Sequence, residues 1–177
     1  LLTCGPGKQI HSIYGHSAVR VYDRVKGIDK VYNYGTFNNR VPNFILKFLR
    51  RKVDYILAIS TYNDFLRAYH YEERKVVEQQ LNLTQEEELA VYQFLENNAL
   101  KENREYRYDF FFDNCSSRIR DVFEEVIPNY NYADTTHAEK TYRSLINEYQ
   151  TVYPWTDLGI DIIIGAKADV QADFRGQ

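Results

Sequence analysis

One cysteine in this chain sits where a thiol can become a nucleophile. In Asp109-Phe110-Phe111-Phe112-Asp113-Asn114-Cys115-Ser116-Ser117-Arg118 a run of aromatics ends in Asp113 and Asn114, residues of the kind that cap helices. Cys115 then falls on the first turn of the helix. The unpaired N–H groups and partial positive charge of such a turn favour a thiolate and can hold the oxyanion of a tetrahedral intermediate. The plainer reading of Cys115 is a small buried spacer. Ser116 and Ser117 are adjacent hydroxyls, but the thiol is the better nucleophile and has the better cap position.

A nucleophilic cysteine needs a base, and imidazole is the usual one. The histidines are His11, His16, His70 and His137. His16 lies in Tyr14-Gly15-His16-Ser17-Ala18-Val19-Arg20, at the mouth of a strand, and Gly15 leaves room beside the ring. His11 is in a loop, His70 is in a charged stretch and His137 is at a polar helix start, so these three read as solvated. A third group orients the imidazole in enzymes of this kind. The strand following His16 returns beside it and offers Asn33, Tyr34, Thr36 and Asn38. Asn33 can accept a hydrogen bond from one ring nitrogen through its side-chain carbonyl. Register, and so the choice among the four, is not fixed by the sequence.

The elements that must position these groups follow from pattern. Residues 17–23 alternate as a strand, 26–29 form a turn and 30–37 return as its hairpin partner. Pro42 opens a helix with Phe44, Ile45, Phe48 and Leu49 on one face. Residues 53–60 form a buried strand, and Thr61 caps a helix to Tyr69 with Asp64 three residues on. A strand over 75–83 precedes a capping box of Thr84 and Glu87 and a helix to about Asn97. Residues 106–112 read as an aromatic strand. Ile119, Val122, Phe123 and Val126 give the Cys115 helix one apolar stripe, which Pro128 ends. A helix spans about 136–149, and 158–166 is strand or helix. The sum is α+β with an antiparallel sheet, and the length suits a single domain over 1–177.

Composition excludes several classes. Hydrophobic residues are 44% and charged residues 27%, so the chain is globular rather than disordered. The net charge is −3 with no basic block, which argues against a nucleic-acid partner. Metal-ligand clusters, phosphate loops and Gly-x-Ser-x-Gly elbows are not present, so neither a metal nor a cofactor is expected. No apolar run reaches the ~20 residues of a membrane span. The chain has no methionine and starts at Leu1, which suggests trimming from a longer parent. A disulfide between Cys4 and Cys115 is the structural alternative to a reactive thiol.

The order of these motifs resembles a known group. Gly-His at a strand start, then an Asn-Tyr-Gly strand, then Asn-Cys at a helix start is similar to circularly permuted papain-like enzymes. The lecithin:retinol acyltransferase group has this order; NlpC-type hydrolases have the unpermuted one. More closely, Tyr14-Gly15-His16-Ser17-Ala18, Tyr32-Asn33-Tyr34-Gly35-Thr36-Phe37 and Phe111-Phe112-Asp113-Asn114-Cys115-Ser116-Ser117-Arg118-Ile119-Arg120-Asp121 resemble the Lnb-type periplasmic domain of bacteria. Pro154-Trp155-Thr156-Asp157 continues the likeness. The resemblance implies a permuted papain-like (NlpC-like) fold, with the sheet packed on helices and the nucleophile at a helix N-terminus. It also implies a periplasmic, membrane-associated location.

The implied activity is lipoprotein N-acyl transfer, with Cys115 as nucleophile, His16 as base and Asn33 as orienter. The partners implied are a diacylated lipoprotein or phospholipid acyl donor, with the membrane surface reached through other parts of the parent. A thiol amidase or peptidase acting on cell-wall peptide, and a non-catalytic envelope binding module, are the alternatives.

Overall fold

Alternation of side chains along two strands sets the architecture. The computed structural model describes residues 1–9, 12–37, 54–109, 112–128, 130, 140–150 and 165–172. In β2 (His16–Asp23) and β3 (Ile28–Phe37), Val19 stands opposite Tyr32 and Arg20 opposite Val31. Adjacent residues therefore feed opposite faces of the sheet. Val19, Tyr32 and Tyr34 join one buried cluster, and Ala18 and Val31 join a second. A strand buried on both sides must read as almost continuously apolar, as Val31, Tyr32 and Tyr34 do.

Four more strands complete an antiparallel sheet of order β5-β1-β2-β3-β4-β6. They are β1 (Leu2–Cys4), β4 (Asp54–Thr61), β5 (Val76–Glu78) and β6 (Glu105–Arg107). The strand expected over 75–83 pairs only at Val76–Glu78, before the polar run of Gln79 and Gln80. That expected over 106–112 pairs at Glu105–Arg107. Beyond it, Asp109 and Asp113 bridge each other, which turns the chain back before the helix.

Helices cover both faces. Helix α1 (Tyr62–Tyr71) starts at Thr61, whose hydroxyl accepts from the Asp64 N–H at 3.1 Å. It buries Phe65 and Tyr69, four apart, over Leu2, Cys4, Ala18 and Val31. Helix α2 (Gln85–Asn98) carries the capping box of Thr84 and Glu87 and buries Val91 and Leu95 against the other face. Leu95 is fully enclosed, so Leu95→Ala would cost about 2–5 kcal/mol. Helix α3 (Cys115–Val126) packs Ile119, Val122 and Phe123 beside them, the stripe its spacing predicts. It stops at Ile127, which takes the extended backbone that a residue before proline prefers.

These elements belong to one compact unit, Leu1–Gly7 with Gly15–Tyr130. A second unit comprises Lys8–Tyr14 and Asn131–Gln177. In it, α4 (Tyr142–Gln150) and a 3-10 turn (Gly165–Asp169) are joined by the ion pair of Arg143 with Asp169 at 2.6 Å. The Pro42 helix lies outside the described residues, as do the first residues of the 136–149 helix and nearly all of 158–166. No described helix is long and apolar enough to cross a membrane.

Candidate active site

The start of α3 is built around its cap. The Asn114 side chain accepts from the N–H groups of Ser116 at 2.9 Å and Ser117 at 3.0 Å, and its carbonyl accepts from the Arg118 N–H at 2.9 Å. The Ser117 hydroxyl accepts in return from the Asn114 N–H at 2.8 Å. Of the first four helical N–H groups, the cap thus leaves that of Cys115 itself. Asn114 takes the cap role. Asp113 instead accepts a forked ion pair from Arg118, Nη2 to Oδ2 at 2.7 Å and Nε to Oδ1.

His16 is the first residue of β2. Gly15, just before it, has φ +78°, and a Cβ there would lie 2.8 Å from the Cys4 carbonyl oxygen. Only glycine lets the strand enter at that point. Across β3 the pairing with β4 slips between Asn33 and Thr36, so that Tyr34 and Gly35 of β3 together oppose Leu57 of β4. Gly35 lies in this bulge with φ +88°. A Cβ on Gly35 would be 3.5 Å from Cys115 Cβ and 3.6 Å from His16 Cε1. The thiol-bearing carbon and the imidazole therefore flank one glycine.

The three candidates meet. His16 Nε2 lies 2.5 Å from Asn33 Oδ1. A carbonyl oxygen only accepts, so Nε2 carries the proton, and Nδ1 is the nitrogen that faces the thiol. The imidazole of His16 and the thiol of Cys115, side by side against Gly35, are close enough to shift each other's ionisation. Burial pushes the Cys115 thiol up. The hydrogen bond and charge of His16, the Ser17 N–H and the Ser116 hydroxyl outweigh burial and bring it down to about 7. Burial and the charge of Arg74 press His16 down. Its bonds to Cys115 and Asn33 and the charge of the sulfur outweigh them, and its pKa is raised. The shifts run in opposite directions, so the thiol and the imidazole ionise as a coupled pair.

The other candidates fall elsewhere. The Tyr34 hydroxyl is buried and accepts from Asn98 Nδ2 at 3.0 Å, and the Thr36 hydroxyl donates to the Asn33 carbonyl at 3.4 Å. His70 is exposed on the last turn of α1. Asn38, His11 and His137 lie outside the described residues. Both cysteines are free. Cys4 is buried in the cluster that includes Tyr69, and burial pushes its thiol up to about 11. Among the described residues no group of His, Cys, Asp or Glu is placed to hold a metal ion.

Sequence pattern did not single out Gly35, Ser17 or the Asp113–Arg118 pair. A lone glycine inside a strand pattern signals a bulge or a close approach and would have drawn attention to Gly35. Ser17 acts through its backbone N–H, which no side-chain pattern reports.

The geometry can do nucleophilic chemistry. The Cys115 thiol stands at a helix N-terminus whose Cys115 N–H is left over by the cap, beside an imidazole whose Nε2 is held by Asn33. No curated protein and no solved structure matches the chain. The sequence model of the Lnb N-terminal periplasmic domain matches residues 1–148, which include every group of this site. The chain therefore belongs to the Lnb N-terminal periplasmic domain family, a family of periplasmic domains.

Proposed function

We propose that this domain is a cysteine-dependent acyltransferase of the bacterial envelope, acting in lipoprotein N-acylation. The observation that carries the proposal is the placement of Cys115 and His16 against the same glycine, Gly35, with Asn33 on the His16 Nε2; the thiol, lowered to about 7, agrees with it. Family membership and the periplasmic setting support the choice of substrate class. The order of His16 on a strand before Cys115 at a helix start also supports a permuted papain-like arrangement.

The reaction runs in two halves. The Cys115 thiolate attacks the ester carbonyl of the acyl donor, a diacylated lipoprotein or a phospholipid. The oxyanion accepts from the Cys115 N–H. As the intermediate collapses, the C–O bond breaks and imidazolium His16 gives its Nδ1 proton to the departing alkoxide. This leaves a lyso product and a thioester on Cys115. The α-amine of the lipoprotein's N-terminal cysteine then attacks the thioester. His16 accepts a proton from that amine, the C–S bond breaks and the thiolate returns. Asn33 keeps Nε2 protonated throughout, so that Nδ1 faces the reaction.

The test supplies a synthetic diacylated lipopeptide, with or without isotope-labelled phospholipid vesicles, and reads the products by mass spectrometry. The proposal expects N-acylated lyso lipopeptide, lost in Cys115→Ala, and the label tells which donor was used. Equal product from Cys115→Ala would overturn it. So would release of peptide from cell-wall fragments with no acyl transfer, which is the signature of a thiol amidase.

A further inference from the structure

We propose that the Asp113–Arg118 ion pair is a clamp that positions Cys115 against His16, making Arg118 a positioning residue for the dyad. The inference rests on the reading of Cys115 and His16 as the reacting pair, and it adds residues that the chemistry itself does not use.

The two ends of the clamp straddle the helix start. Asp113 precedes the cap residue Asn114, and Arg118 is the residue whose N–H bonds back to the Asn114 carbonyl. The guanidinium meets the carboxylate through two nitrogens, with Nη2 donating at 2.7 Å, a planar fork that fixes direction as well as distance. Cys115 lies inside the loop so closed. Both anchors are held in turn. The Asp113 N–H donates to the Asp109 carbonyl at 3.0 Å, and its own carbonyl accepts from the Asp109 N–H at 3.1 Å.

The guanidinium carbon of Arg118 lies 4.1 Å from the ring centroid of Tyr106 in β6. Tyr106 is buried, meets Tyr34 edge-on at 6.2 Å and leans on Tyr55 at 6.3 Å. Tyr34 is in β3, the strand that carries Asn33, and Tyr55 is in β4 beside it.

Both halves of the dyad are thereby referred to one sheet. His16 is a residue of β2. The fully buried apolar stripe of α3 begins at Ile119, past the first turn; on that turn Cys115 only partly packs against the core and Ser117 is buried as a polar cap residue, so its direction also depends on polar contacts. The clamp ties that turn, through Tyr106, to β6. An exposed ion pair contributes little of anything. This one is about two-thirds withdrawn from solvent at both ends, with 31% of each side chain exposed, and it is forked.

The test is the pH profile of Cys115 alkylation by iodoacetamide in the full chain, with circular dichroism and melting recorded alongside. The variant Asp113→Asn with Arg118→Gln keeps shape and net charge and removes the charged fork. The clamp predicts that the midpoint rises by about one pH unit, which is a tenfold loss of thiolate below it. It also predicts that the same two substitutions move the midpoint little in a His16→Ala background, because the clamp acts by holding the thiol to the ring. Should the double variant unfold, Arg118→Lys, which keeps the charge and loses the fork, carries the test with a smaller rise.

A lowered melting temperature with the midpoint unmoved would overturn the proposal. So would a rise of the same size without His16. Alkylation needs no acyl donor, so a failed clamp leaves acyl transfer by the wild type standing, and failed acyl transfer leaves the alkylation result standing.

Discussion

Removing the imidazole is the sharpest perturbation of the site. In His16→Ala the thiol of Cys115 loses the neighbouring imidazole and its positive charge but stays largely buried. Its midpoint should move from about 7 to about its ordinary value of 9.0, because burial is then opposed only by the Ser17 N–H and the Ser116 hydroxyl. Two pH units correspond to about 2.7 kcal/mol of differential stabilisation of the thiolate. At pH 7 the thiolate fraction falls from about one half to about one in a hundred. The more basic thiolate is intrinsically more reactive, by roughly six- to tenfold over two units. Alkylation at pH 7 therefore slows only about five- to eightfold, while above about pH 8 the variant overtakes the wild type. Rates measured from pH 5 to pH 11 read both effects at once. A midpoint that stays near 7 without His16 would refute the imidazole as the cause of the lowered thiol.

Three further outcomes follow from the same geometry. Asn33→Ala removes the acceptor that keeps Nε2 protonated, and single-turnover acyl transfer should slow about tenfold with a smaller change in the alkylation midpoint than in His16→Ala; an unchanged rate would remove Asn33 from the mechanism. Gly35→Ala meets only ordinary contacts, so its cost is the left-handed backbone, about 1–2 kcal/mol in urea unfolding, and equal stability would show that the bulge does not hold that conformation. Thiol titration at pH 7 should modify Cys115 in the native protein and Cys4 only on unfolding, because a thiol at about 11 is ionised to roughly one part in ten thousand; two fast thiols would contradict the burial of Cys4.

Much of the site was visible in residue types because caps and glycines act locally. Asn114 before Cys115, and Gly15 before His16, encode a helix start and a strand entry within a few residues each. The choice of Asn33 over Tyr34, Thr36 and Asn38 depends on register, and the slip between Asn33 and Thr36 comes from pairing with β4, a partner distant in sequence. Strands β1 and β5 have three residues each, too short for alternation to show. The aromatic run after Tyr106 read as one strand, but Asp109 and Asp113 bond to each other and fold it into a turn. Asp113 is engaged by the Arg118 fork and Asn114 caps the helix, a division of roles between two adjacent cap-type residues that residue type alone does not decide.

The most direct measurement is the intact mass of the protein after exposure to a labelled acyl donor, with the acceptor amine withheld. The proposed mechanism predicts one acyl group on Cys115, released by hydroxylamine as a thioester is, and absent from Cys115→Ala. A wild-type protein that forms N-acylated product while never carrying acyl on that sulfur would contradict it.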